Sequence, residues 1–159
     1  SGCFSYSNTT KRTHEIACEL LEYNFDASEA IYQVYSSVTS NKFDLKRRAL
    51  AKAKFFESRQ IALICFTKDD FAATNTTCDD TEGIVSELID VDCVKVAYAL
   101  SQVGDKNFKL SIRTKDNVDA SDIAMTFGGG GHKFASGCRV NGYLEDIEEK
   151  LVKLAKDRI

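Results

Sequence analysis

Val94-Lys-Val-Ala-Tyr98-Ala-Leu100-Ser-Gln-Val-Gly104-Asp-Lys-Asn107-Phe-Lys-Leu110-Ser-Ile-Arg113 decides the fold. Val94, Val96, Tyr98 and Leu100 alternate with Lys95, Ala97, Ala99 and Ser101. After a turn at Gly104–Asn107, Phe108, Leu110 and Ile112 alternate with Lys109, Ser111 and Arg113. Strict period-two alternation is the mark of a strand with one buried face, and two such runs joined by a short turn make an antiparallel hairpin. In the second run, burial of the apolar set places Lys109, Ser111 and Arg113 together on the opposite face.

Working outward, Ile61-Ala-Leu-Ile-Cys-Phe66 is a short apolar run between polar residues and predicts a buried strand. Asp79-Asp-Thr-Glu82 predicts the acid-led start of a helix over 84–89. A short helix is expected over Asp119–Met125, then a glycine loop, a strand over Gly137–Val140, and a final helix lined by Leu144, Ile147, Leu151 and Leu154. Toward the N-terminus three helices are expected. The first spans Thr10–Glu22, the second is capped by Asp26 with Ile31, Val34, Tyr35 and Val38 inward, and the third runs from Leu45 to Phe56 after a break at Asn41. The fold class is therefore α+β, a small mixed sheet flanked by helices and preceded by a helical arm. The change of pattern near Ser58 divides the chain into an arm, 1–57, and a sheet-bearing unit, 58–159.

Hydrophobic residues make up 43% and charged residues 28% of the 159, so the chain is composed to build a core. The longest apolar run, Ile61–Phe66, is far short of the roughly 20 residues a membrane helix needs. No signal peptide is visible at the start. A net charge of −3 argues against non-specific binding to long duplexes, but leaves room for a locally basic site for a short anion. Six cysteines without a close pair, and only two histidines, His14 and His132, argue against zinc and for free thiols in a reducing cytosol.

Phe127-Gly-Gly-Gly-Gly-His132-Lys133 is the sharpest chemical feature. Glycines 128, 129, 130 and 131 free the backbone to aim successive amides at one spot, an anion nest, and a helical turn after the loop would add its positive end. His132 and Lys133 set two cationic donors beside it. Arg113 offers a planar fork for phosphate oxygens. Thr81 and Glu82 can accept from a ribose hydroxyl or a base. His14 reads as a surface or capping residue. No Ser-His-Asp set, no carboxylate pair beside a histidine and no Asp/His cluster for metal emerges, so no catalytic or metal-ligating residue is assigned.

Ser111-Ile-Arg113-Thr, Val118-Asp-Ala-Ser-Asp-Ile-Ala, Phe127-Gly-Gly-Gly-Gly-His132-Lys-Phe-Ala-Ser-Gly137 and Asp80-Thr-Glu-Gly83 together resemble the C-terminal substrate-binding domain of DHH-family phosphoesterases, in the nanoRNase/pAp-phosphatase subgroup related to RecJ exonucleases. Gly2-Cys-Phe-Ser-Tyr-Ser-Asn-Thr-Thr10 resembles the closing stretch of that family's catalytic domain. The resemblance implies that Arg113, the amides of Gly129–Gly131 and His132 contact nucleotide or phosphate, with Thr81 and Glu82 lining the same cleft and Lys133 beside it. It implies a parent hydrolase, manganese-dependent through an N-terminal lobe that this sequence lacks. It leaves this portion without cofactor and inactive alone. The implied partners are short single-stranded RNA or a nucleotide, the N-terminal lobe, and a second copy in a homodimer. The implied location is the cytoplasm. Two other roles are compatible with the same residues: a regulatory nucleotide-binding module, and part of a cyclic-di-AMP phosphodiesterase. Ser136 departs from the family's usual Ala-Ala-Gly.

Overall fold

The computed structural model describes residues 2–4 and 8–159, so part of the Gly2–Thr10 resemblance lies outside the described residues. The chain forms two compact units, Ser1–Val38 and Thr39–Ile159.

In the first unit α1 spans Lys11–Leu21, capped by the Thr10 hydroxyl, which accepts from the Thr13 amide. His14 stacks on Phe4, with ring centroids 4.8 Å apart. Asp26 caps α2, Ala27–Ile31, as its spacing predicts, and a π-helical turn follows at Tyr32–Ser36. Hydrogen bonds from the Ser28 hydroxyl, the Glu29 amide and the Ser28 amide hold the Asp26 carboxyl below its usual range. The expected inward face is corrected: Ile31, Val34, Tyr35 and Val38 are exposed, and neither helix has a buried residue. Two short helices can shelter one another only in a shallow apolar groove of about 390 Å³, lined by residues such as Leu20, Leu21, Phe25 and Ile31.

The second unit is built on a sheet of order β1-β2-β3-β4-β6-β5. Its strands are β1 Lys54–Phe56, β2 Ile61–Phe66, β3 Val96–Gly104, β4 Asn107–Thr114, β5 Gly130–His132 and β6 Ala135–Asn141. Only β2 and β3 run parallel, so the sheet is mixed as expected. The helices are α3 Ser40–Ala51, α4 Lys68–Thr74, α5 Ile84–Ile89, α6 Ala120–Met125 and α7 Leu144–Lys156.

Three expectations are corrected here. The helix expected to end at Phe56 stops at Ala51, and Lys54–Phe56 pairs with β2 instead; Asn41 lies inside α3, whose N-cap is Thr39. The acids at 79–82 do not start α5. They belong to a 3₁₀ turn, Cys78–Thr81, where the Asp80 carboxylate accepts from the Thr77 amide at 2.8 Å, and Gly83 at φ +87° separates that turn from α5. No helical turn follows the glycines, because Gly130–His132 forms edge strand β5 against β6.

One face of the sheet is fully roofed. Ile61, Leu63, Val96, Tyr98, Leu100, Phe108, Leu110, Ile112 and Val140 pack under α6 and α7 through Ala120, Ile123, Ala124, Ile147, Leu151 and Ala155. Each large side chain so buried is worth about 1.5–3 kcal/mol. The other face is covered only in part. Leu45 and Ala49 of α3 with Ile84, Val85 and Leu88 of α5 pack over Ala62, Ile64, Phe66, Ala97 and Ala99 of β2 and β3. Beyond β3 the side chains of β4, β6 and β5 on this face are exposed or half-buried. No helix among the described residues is long and apolar enough to cross a membrane.

Asp70 ties α4 into this frame. It is buried, and its carboxylate accepts from Lys52 Nζ at 2.6 Å and from the amide and hydroxyl of Thr67. Burial pushes its pKa up, but these donors outweigh burial and hold it below the usual range. Asp70→Ala should cost about 2 kcal/mol at pH 7. A carboxyl with a lowered folded pKa stabilises above its unfolded pKa of about 3.9 and loses that contribution as pH falls through the folded value. Urea unfolding of both proteins should therefore show the gap narrowing as pH falls below about 4; a gap that does not narrow at all on acidification would contradict this role.

Candidate nucleotide-binding face

Paired residues on neighbouring strands share a face of the sheet, so the register lists what stands on the open side. Ala97, Arg113, Ala135 and His132 form one row across β3, β4, β6 and β5. Ala99, Ser111, Gly137 and Gly130 form the next. Ser101, Lys109 and Arg139 form a third. Arg113 and His132 thus lie on one face, two strands apart, about 10 Å at the backbone. The middle row is almost bare of side chains, and cations stand on either side of it.

The 3₁₀ turn and the start of α5 wall this face on the β3 side. Thr81, Glu82, Gly83 and Val85 with Asp79 face Lys109, Ser111 and Arg113 across a cleft of about 270 Å³. The Thr81 hydroxyl donates to Cys78 O at 2.7 Å and receives a long bond from the Ser101 hydroxyl at 3.4 Å, which holds the turn against β3. Glu82 is exposed, and its carboxylate has no partner among the described residues. Arg113 is half-buried, with Nη1 donating to Ile112 O at 3.0 Å. Among the described residues none of Arg113, Lys109 and Arg139 pairs with a carboxylate. Lys109 and Arg139 stand directly opposite each other, an arrangement of like charges that destabilises a sheet.

The glycines divide their work. Gly128, at φ +73°, donates to Met125 O, and Gly129 donates to Ala124 O, both at 3.0 Å, the two bonds of a Schellman ending for α6. Four amides converging on one spot is therefore corrected: the first two are committed to helix α6. Gly129 also fits too tightly for a Cβ, which would meet Cys138 Cβ at 2.3 Å. At Gly131, φ is +150° and a Cβ would meet Ser136 Oγ at 2.7 Å. Gly130 differs: a Cβ there would meet nothing within 4 Å. Ser136, the departure from the family pattern, donates to His132 O at 2.8 Å and so braces the β5–β6 turn.

Thr81, Glu82 and Arg113 come together in the cleft, and Gly130 and His132 share its face without lining it. Lys133 stands apart in the turn. Its carbonyl accepts from the Ala120 amide at 2.6 Å, and its ammonium lies 5.1 Å from the Phe134 ring. The alternation places Lys109 on this face without assigning it a role, and Arg139 is not singled out, although both occupy the outward phase of strands whose inward residues are apolar. Among the described residues no three His, Cys, Asp or Glu side chains are placed to hold a metal.

Residues 62–159 match the DHHA1 domain, and the chain belongs to that family. It is 33% identical over 165 residues to the probable bifunctional oligoribonuclease and PAP phosphatase NrnA of Streptococcus mutans, covering 98% of this chain and 50% of that protein. Against the bifunctional oligoribonuclease and PAP phosphatase NrnA of Bacillus subtilis the identity is 27%, covering 91% of this chain and 45% of the relative. An exopolyphosphatase-related protein from Bacteroides fragilis superposes with a TM-score of 0.83 at 26% identity, over 94% of this chain and 45% of that one. The chain thus spans about half the length of these relatives.

The glycine geometry makes a paired prediction. Gly129→Ala should lose about 1–3 kcal/mol of unfolding free energy, the usual cost of overpacking, because β6 backbone must move to admit the methyl. Gly130→Ala should stay within about 0.5 kcal/mol of the parent. Equal losses in urea titrations of the two variants would contradict the packing described.

Proposed function

We propose that this chain is the nucleotide-binding portion of a hydrolase acting on short oligoribonucleotides and on pAp, with cleavage carried out by a manganese-dependent lobe outside it. One observation carries the reading: Arg113, Lys109 and Arg139 stand without carboxylate partners on a sheet face whose middle row is Ser111, Gly137 and Gly130. The names of the relatives in Streptococcus mutans and Bacillus subtilis support the substrate class.

The parts divide by charge. Arg113 presents its fork to phosphate oxygens, in charge-assisted bonds that suit a planar guanidinium. His132 supplies a second donor from the neighbouring strand. Glu82, whose carboxylate has no partner among the described residues, accepts from a ribose hydroxyl, as acidic residues do in other nucleotide sites. Gly130 leaves the floor low enough for sugar or base to lie against the backbone. These groups hold and orient a ligand and exclude water from one side of it. None is placed to generate a hydroxide, which is why binding, and not hydrolysis, is assigned to this chain.

Calorimetric titration of the 159-residue chain with pAp or a 5′-phosphorylated dinucleotide tests the proposal. Arg113→Ala and His132→Ala should each weaken binding by about 1.5–3 kcal/mol, tenfold or more, with the fold retained. Affinity should fall as salt rises. With manganese added, no product should form. Unchanged affinity in both variants would remove the site, and turnover by the isolated chain would contradict the division of labour.

A further inference from the structure

Asp80 points away from the cleft that its neighbours form. Asp79, Thr81, Glu82 and Gly83 all line the cleft in front of Arg113, and Asp80 does not. Its carboxylate turns back and accepts from the Thr77 amide at 2.8 Å and from the Thr77 hydroxyl at 3.2 Å. We propose that Asp80 is a positioning residue for sugar recognition: without touching the ligand, it fixes the 3₁₀ turn so that Glu82 meets a ribose 2′-hydroxyl, and the chain thereby prefers ribonucleotides to their 2′-deoxy counterparts. This rests on the nucleotide-binding reading given above and adds to it the residue that aims Glu82 and the hydroxyl that Glu82 reads.

Glu82 is the residue at which the 3₁₀ turn ends, so its backbone takes its place from that turn. The Glu82 amide donates to Asp79 O at 3.3 Å, and the Asp80 amide donates to Thr77 O at 3.1 Å. The bond from the Thr77 amide to the Asp80 carboxylate is shorter than either and charge-assisted, which makes it the strongest of the three. The anchor beneath the turn is weaker, because the buried Ser101 hydroxyl reaches Thr81 only at 3.4 Å. On the far side Glu82 is joined to α5 through Gly83, at φ +87°, and glycine has the freest backbone of any residue. The Asp80 brace is therefore the stiffest support that Glu82 has. The chemistry of the ligand says what Glu82 meets. The sugar of pAp carries phosphate on both its 5′ and its 3′ oxygen, so its 2′-hydroxyl is the only free hydroxyl. A carboxylate beside Arg113 then has a single sugar donor to accept from, and it is the group that separates RNA from DNA.

The experiment titrates the 159-residue chain calorimetrically with two probes of equal charge, pAp and 2′-deoxy-pAp. The parent should bind pAp about tenfold more tightly, the loss expected when a hydrogen bond to a carboxylate is missing. Asp80→Ala should shrink that preference to about twofold, chiefly by weakening pAp. Asp80→Asn keeps a side-chain carbonyl that can accept from the Thr77 amide, and it should restore most of the preference. The charge removed by either variant acts on both probes alike and cancels in the ratio. Glu82→Ala should equalise the probes, and adding Asp80→Ala to it should leave the ratio where it is. If Asp80→Ala does not fold, Thr77→Val, which deletes only the hydroxyl bond to Asp80, should shrink the preference in part. Equal weakening of both probes in Asp80→Ala is what a merely structural role would give, and it would overturn the proposal. An unaltered ratio in Thr77→Val, or no recovery in Asp80→Asn, would also overturn it. If the parent binds the two probes equally while Arg113→Ala and His132→Ala weaken both, the sugar reading fails and the nucleotide-binding reading stands. If the parent binds neither probe, both fail together.

Discussion

Burial of Phe108, Leu110 and Ile112 beneath α6 and α7 sets the direction of every other side chain on β4. Because side chains alternate strictly, a slip of one residue would turn Lys109, Ser111 and Arg113 into the core and the apolar set into water. The partners on both sides enforce the register. β3 pairs with β4 residue by residue from Val96–Thr114 to Gln102–Phe108, and β6 pairs with it from Asn107–Asn141 to Arg113–Ala135. Gly137 contributes directly, since a Cβ there would come within 2.9 Å of Leu110 O and push the strands apart. The site is thus the reverse side of the core.

The opposite face owes its openness to where the helices stop. α3 and α5 pack over β2 and β3, with the start of α5 facing β4 across the cleft, so the outer strands present polar rows to solvent. Those rows do little for stability. Ion pairs elsewhere in the unit include Lys52 with Asp70, Lys54 with Glu148, Lys46 with Glu87, Lys68 with Asp105 and Lys156 with Glu57.

Much of this was legible in the sequence because side-chain periodicity reports the core directly. The hairpin, the buried strand at Ile61–Phe66, the first helix and the C-terminal helix follow from apolar spacing, and Arg113 follows from the same alternation. The elements that escaped have weak or ambiguous patterns. β5 is Gly130-Gly131-His132, with no side-chain rhythm to read, and it exists because β6 offers it an edge. β1 continues a helical run and is claimed by β2 through pairing alone. α4 spans only Lys68–Thr74, yet its Thr67 and Asp70 form a capping box that the sequence displays. The apolar stripe of the first unit was correctly periodic, but periodicity cannot say whether a partner is present. Nor could the glycine run reveal that two of its amides close α6, since that depends on where the helix ends.

The central claim is that ligand binds the open β4-β6-β5 face and not the roofed one. A ¹H–¹⁵N correlation titration of the chain with pAp tests it most directly. The account predicts shift changes concentrated at Glu82, Ser111, Arg113, Gly130, His132 and Gly137, with α7 residues such as Leu151 and Ala155 unmoved. Changes centred on α6 and α7, or a spectrum that pAp leaves untouched, would contradict it.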